Sequence, residues 1–123
     1  MQFKKPQSNY PEIKDINLDE FQRLCQEANN KELSWAQASQ KYSGVECVKK
    51  ETFAKICSSF SGKSNAENEK SALCSEEWIK FIENLKVLES DEIISKANKN
   101  IAVRNWETAR TVISLKKQEL NRL

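Results

Sequence analysis

LSWAQASQKYSGVECVKKETFAKICSSF, residues 33–60, is the stretch from which the fold class follows. Trp35, Ala38 and Tyr42 recur at intervals of three and four. Phe53, Ile56, Cys57 and Phe60 do the same further on. That spacing gathers each group on one face of a helix but would scatter it over both faces of a strand. Ser34, with Gln37 three residues later, reads as a capping box, and Leu33 and Ala38 are placed for a hydrophobic staple. Ser43-Gly44 reads as the stop, because glycine takes the left-handed conformation that commonly ends a helix. Val45–Val48 is then a connection, and a further helix is expected from about Lys49 to Phe60 on this periodicity.

The same reading extends outward in both directions. Residues 1–16 carry both prolines (Pro6 and Pro11) and are expected to form an extended arm that Phe3, Tyr10, Ile13 and Ile16 pin to the body. Asn17 caps a helix over Leu18–Asn29, with Glu20 as its capping partner and Leu18, Phe21, Leu24, Cys25 and Ala28 as its inner stripe. Residues 61–74 read as a polar loop. Ser75 caps the next helix, with Glu76 and Glu77 at the positive end of its dipole and Trp78, Phe81, Ile82, Leu85 and Leu88 as its stripe. Ser90-Asp91 and Asn105 read as further caps. The first opens a helix lined by Ile93, Ile94, Ala97 and Ile101, the second one lined by Trp106, Ala109, Val112, Ile113, Leu120 and Leu123. No Gly or Pro forces a break, so residues 91–122 are compatible with two helices or one. The expected architecture is all-α, a small bundle of five to six helices: a unit over 17–60, the loop 61–74, and a C-terminal helical hairpin within 75–123.

Composition agrees. Two glycines and two prolines in 123 residues are too few for the turns of an all-β domain. With 38% hydrophobic and 31% charged residues the chain is polar, yet apolar enough to fold. No apolar run reaches the ~20 residues that span a bilayer, and the start MQFKKPQSNYPEIK has no apolar signal core. These features point to the cytosol, or to the nucleus in a cell that has one, and away from a membrane. The four cysteines (Cys25, Cys47, Cys57, Cys74) form no C-x-x-C pair and there is no histidine. They read as reduced thiols, two of them on apolar helix faces, and neither a metal site nor another cofactor is expected.

The same inventory excludes familiar catalysis. General acid–base chemistry lacks its histidine, and no G-x-S-x-G elbow or phosphate-binding glycine loop occurs. Glu76-Glu77 and Asp91-Glu92 are first-turn helix charges in this reading. The formal charge is only +2, so a nucleic-acid partner would depend on local clustering. Residues 41–63 hold five lysines against two glutamates, 64–89 are acidic, and 90–123 are basic again. Trp35, Trp78 and Trp106 each fall in the first turn of an expected helix. They read as core anchors, with a stacking platform for bases as the alternative.

On these residues, 33–60 resembles a helix-turn-helix DNA-binding unit: a capped helix with small Ala38 inside, a glycine turn, and a second helix with a basic start. The resemblance implies that Lys49, Lys50, Thr52, Lys55 and Ser59 meet bases and phosphates in a major groove, with Lys41 on a phosphate. Residues 91–113 look like a helical hairpin of the tetratricopeptide type, where Ala97 packs against Trp106 and Ala109. That implies a surface for a second copy or another protein, with Trp106, Arg110 and Leu120 as candidate contacts. Two functions are thus expected: a small DNA-binding regulator, or a helical adaptor or inhibitor acting on a protein of a nucleic-acid machine.

Overall fold

The computed structural model describes residues 17–122. The arm expected over 1–16 and the terminal Leu123 lie outside the described residues. Among the described residues there are four α-helices and no strand: α1 (Leu18–Cys47), α2 (Lys49–Ser58), α3 (Asn65–Leu73) and α4 (Glu76–Arg122). The class is all-α, as expected, but the five or six helices of the sequence reading are corrected to four.

The difference has one physical cause. α1 has 30 residues and α4 has 47, and the expected breaks at Asn29-Asn30, Ser43-Gly44, Ser90-Asp91 and Asn105 all lie inside them. Polar residues in a helix interior cost at most about 0.7 kcal/mol each relative to alanine, while every added residue gains a backbone hydrogen bond. Cap-forming side chains mark helix ends only where something else stops the helix. The C-terminal hairpin is therefore a single helix, and the glycine turn of the helix-turn-helix reading is absent.

Gly44 is helical and does not have a positive φ. A Cβ built there meets nothing within 4 Å. Gly44→Ala is therefore expected to stabilise the fold by about 0.5–1 kcal/mol, seen as a raised urea midpoint. A lowered midpoint would mean that the native chain uses a conformation at Gly44 that alanine disfavours.

The chain divides into two packed units. Of the described residues, one comprises 17–33 together with 96–122, and the other is Ser34–Ser95. In the first, Leu24, Ala109 and Val112 form the buried centre, with Phe21, Trp106 and Ile113 packed on it. The Phe21 and Trp106 rings lie 6.3 Å apart. Asn17 caps α1 as expected, its Oδ1 accepting from the Glu20 N–H at 2.9 Å. Arg23 pairs with Glu20 and Glu27 at 2.6 and 3.2 Å along the exposed side. Such pairs add a few tenths of a kcal/mol to a helix, about 0.2–0.5 each. The Arg23 guanidinium also holds the Glu20 carboxyl below the usual carboxylate range, chiefly by hydrogen bonding.

In the second unit, α1 and α4 run antiparallel and α2 and α3 close one end. Trp35 Nε1 donates to Glu92 Oε1 at 3.2 Å, while Cys47, at the end of α1, lines the same cleft as Trp78, near the start of α4. Ile56, Ala72 and Leu85 are buried, and Phe53, Trp78 and Phe81 form a ring ladder with centroids 4.8 and 5.4 Å apart. Only Val48 separates α1 from α2. Its N–H donates to the Val45 carbonyl, and its carbonyl accepts from the Thr52 N–H. The loop expected over 61–74 is corrected by α3, which Ser64 caps by accepting from the Glu67 N–H at 3.2 Å. Asn68 Oδ1 accepts from the Gly62 N–H at 2.7 Å, an approach so close that a Cβ on Gly62 would collide with it. Ser75 caps α4 as expected, accepting from the Trp78 N–H and donating to the Ala72 carbonyl.

α4 also corrects the stripe assigned to Ile93, Ile94, Ala97 and Ile101. The three isoleucines are 56%, 55% and 54% exposed, and Ala97 is exposed as well. Trp78, Leu85, Glu92, Lys99, Trp106 and Ile113 recur every seventh residue, and all are half-buried or buried. The bulky anchors near the two ends of α4 set which side turns inward. Counting on from them lands on Glu92 and Lys99 in the middle, and the isoleucines fall outside.

Candidate partner-binding cleft

Where α1 meets α2, the second unit opens a cleft of about 600 Å³ lined by Glu46, Cys47, Lys49, Lys50, Phe53, Leu73 and Trp78. Local structure dictates its form. The one-residue connection at Val48 leaves no chain to cover the corner, so the last turn of α1 and the first turn of α2 both face it. Phe53 and Trp78 are held by their mutual ring contact. Leu73, the last residue of α3, is 55% exposed. Lys49 is half-buried, Lys50 is exposed, and Glu46 is exposed beside them. The result is an apolar floor with a lysine-bearing rim. Its size falls within the range of about 300–1,000 Å³ typical of ligand pockets.

The residues expected to read DNA are not gathered on one surface. Lys49 and Lys50 stand on this rim. Lys55 is exposed on α2, but at 100° per residue it points about 140° away from Lys50, with Glu51 between them. The Thr52 hydroxyl donates to the Val48 carbonyl and the Ser59 hydroxyl to that of Ile56, at 2.8 and 2.6 Å, so both serve their own helix. Lys41 lines a separate, smaller groove with Asp91, Ile94, Ser34 and Gln37. Of the expected contact residues in the C-terminal part, Trp106 is half-buried in the first unit, and the Arg110 guanidinium lies 5.0 Å from its ring centre. Leu120 is 70% exposed.

Sequence reading missed Leu73, Trp78, Cys47 and Glu46 as lining residues. Leu73 belonged to the supposed loop, and the Ser64/Glu67 capping box was the signal that could have placed it at a helix end. All four cysteines carry free thiols: Cys47 and Cys74 exposed, Cys25 and Cys57 half-buried. Among the described residues, no three Cys, Asp or Glu side chains converge as a metal site, and no helix is long and apolar enough to cross a membrane.

Tyr42, half-buried in the same unit, has its phenol pKa raised by burial and then by the charges of Glu46, Glu89 and Glu92. A raised pKa in the folded state means the neutral phenol favours folding. That contribution is complete below the ordinary tyrosine range and is lost as pH rises through the shifted value. In a Tyr10→Phe background, absorbance titration should therefore show Tyr42 ionising above free tyrosine. A midpoint at or below that of free tyrosine would contradict the acidic, desolvated setting. No protein-family model, curated protein or solved structure matches this chain.

Proposed function

We propose that this chain is a helical protein-binding module, and that the cleft at the α1–α2 corner takes an apolar partner segment with acidic flanks. The observation that carries the reading is the pairing of an apolar floor, half-buried Phe53 and Trp78 with exposed Leu73, with Lys49 and Lys50 on the rim. Apolar anchors held in a preformed pocket supply most of the affinity of such contacts, and rim charges select the partner and speed encounter. The reading is preferred to DNA recognition for two reasons: the lysines of α2 diverge around Glu51, and two of the six expected reading side chains hydrogen-bond within their own helix.

The test uses the full chain and a fluorescein-labelled amphipathic peptide with Leu and Phe four residues apart, flanked by Asp and Glu. Anisotropy should show saturable binding that Leu73→Asp abolishes and that a lysine-flanked version of the peptide lacks. Leu73 is exposed, so the fold survives its replacement. No binding of the acidic peptide sinks the reading. So does salt-sensitive binding of duplex DNA that Lys49→Glu with Lys50→Glu removes and Leu73→Asp leaves intact.

A further inference from the structure

The α1–α2 cleft has a definite pattern of charge, and a segment near the N-terminus of the chain complements it. All the lining residues of the cleft belong to the Ser34–Ser95 unit. Its rim offers two ammonium groups, Lys49 and Lys50, and one carboxylate, Glu46, around the apolar floor. Residues 10–16, YPEIKDI, lie outside the described residues and carry the opposite set. Tyr10, Ile13 and Ile16 follow at steps of three, and Glu12, Lys14 and Asp15 stand among them. Two carboxylates answer the two lysines, and one ammonium answers Glu46. Phe3 offers no such match, because Lys4 and Lys5 beside it repeat the sign of the rim.

A chain cannot fill its own cleft in this way. α1 is a single helix of 30 residues ending at Cys47, and it rises about 45 Å. Tyr10 stands seven residues before Asn17, so even fully extended backbone carries it only about 25 Å from the start of α1. We infer that residues 10–16 of one copy occupy the α1–α2 cleft of the next, an inference that rests on the cleft being a site for an apolar, acidic-flanked segment. The inserted segment and the cleft are different surfaces of the chain. The contact is therefore head-to-tail and propagates from copy to copy unless the rotation closes a ring.

Sedimentation velocity on the full chain across the micromolar range is the test. The average mass should climb above the 14.2 kDa of one chain as concentration rises. Tyr10→Ser with Ile13→Ser removes inserted side chains without changing charge. Leu73→Asp, at an exposed position, spoils the floor of the cleft while helical circular dichroism stays unchanged. Each variant alone should be a monomer. Mixed, the two should form a complex of two chains and nothing larger, because only one intact segment and one intact cleft remain. Lys49→Glu with Lys50→Glu should weaken self-association roughly tenfold or more, since attraction across the rim becomes repulsion. A wild-type monomer throughout the range overturns the inference. So does association that the Tyr10/Ile13 variant or the lysine reversal leaves intact, or a mixture that stays monomeric. A fluorescein-labelled peptide of residues 8–17 should bind the Tyr10/Ile13 variant, whose own cleft is intact. Should the acidic-flanked amphipathic peptide bind and this one not, the inferred occupant is wrong and the cleft reading stands. Should neither bind, both fall.

Discussion

Leu85→Ala should destabilise the protein by about 2–5 kcal/mol, the range for large-to-small changes at a buried leucine. Ile79→Ala, on the same helix, should change stability by no more than about 0.5 kcal/mol, as exposed positions do. Leu85 is 6% exposed and Ile79 46%. Removing the Leu85 side chain takes away apolar burial and leaves a cavity that the surrounding side chains fill only in part. At Ile79 little burial is lost, and alanine's better helix propensity offsets part of that. With total stability usually about 5–15 kcal/mol, the first change should lower the urea midpoint sharply while the second leaves it nearly in place. Equal losses at the two sites would show that α4 turns a different side inward. Helix propensity alone cannot produce the contrast, because leucine and isoleucine differ in it by well under about 0.7 kcal/mol.

The second large effect belongs to the other unit. Ala109 is fully buried beside Leu24 and Val112, with the half-buried Phe21, Trp106 and Ile113 around them. Ala109→Asp places a carboxylate there without a counter-charge, which costs on the order of 3–5 kcal/mol. Part of the loss should be recovered on acidification. The introduced carboxyl has its pKa raised in the folded state, so its penalty falls as pH drops through that value and the group becomes neutral. Ala36→Asp, at an exposed position of α1, is the control and should cost roughly half a kcal/mol through helix propensity. Thermal melts at neutral and mildly acidic pH would read both variants. An Ala109→Asp protein as stable as the Ala36→Asp one would remove Ala109 from the core.

What was legible beforehand follows from which signals are local. The caps at Asn17 and Ser75 act through the backbone of their own first turns, and both are where the residues placed them. The stripes of large apolar residues near the two ends of α4, around Trp78–Leu85 and Trp106–Ile113, also turn inward as read. The middle of α4 could not be read in this way. Which side of a long helix faces inward is a property of the whole run, and the bulkier anchors override Ile93, Ile94 and Ile101. Breaks were overcounted because Asn, Ser and Asp favour helix ends without enforcing them, and Gly44 alone costs too little to stop α1. The cleft was only partly legible. Lys49, Lys50 and Phe53 stood out on α2, but Leu73 and Trp78 reach the corner from α3 and α4, and no pattern within residues 33–60 speaks of them.

The arrangement of the two units along the chain bears on the order of folding. Ser34–Ser95 is one uninterrupted stretch, whereas the other unit is assembled from segments on both sides of it. Contacts such as Phe21 with Trp106 must therefore close a loop of many tens of residues, and closing it from an unstructured chain costs entropy before any packing is gained. Prior formation of the inner stretch shortens the distance that remains to be searched. On a ribosome the inner stretch is also complete before Trp106 and Ala109 have been made. The slow event is then the docking of the last part of the chain, and substitutions around Leu24 and Val112 should retard that late step while leaving the early one untouched.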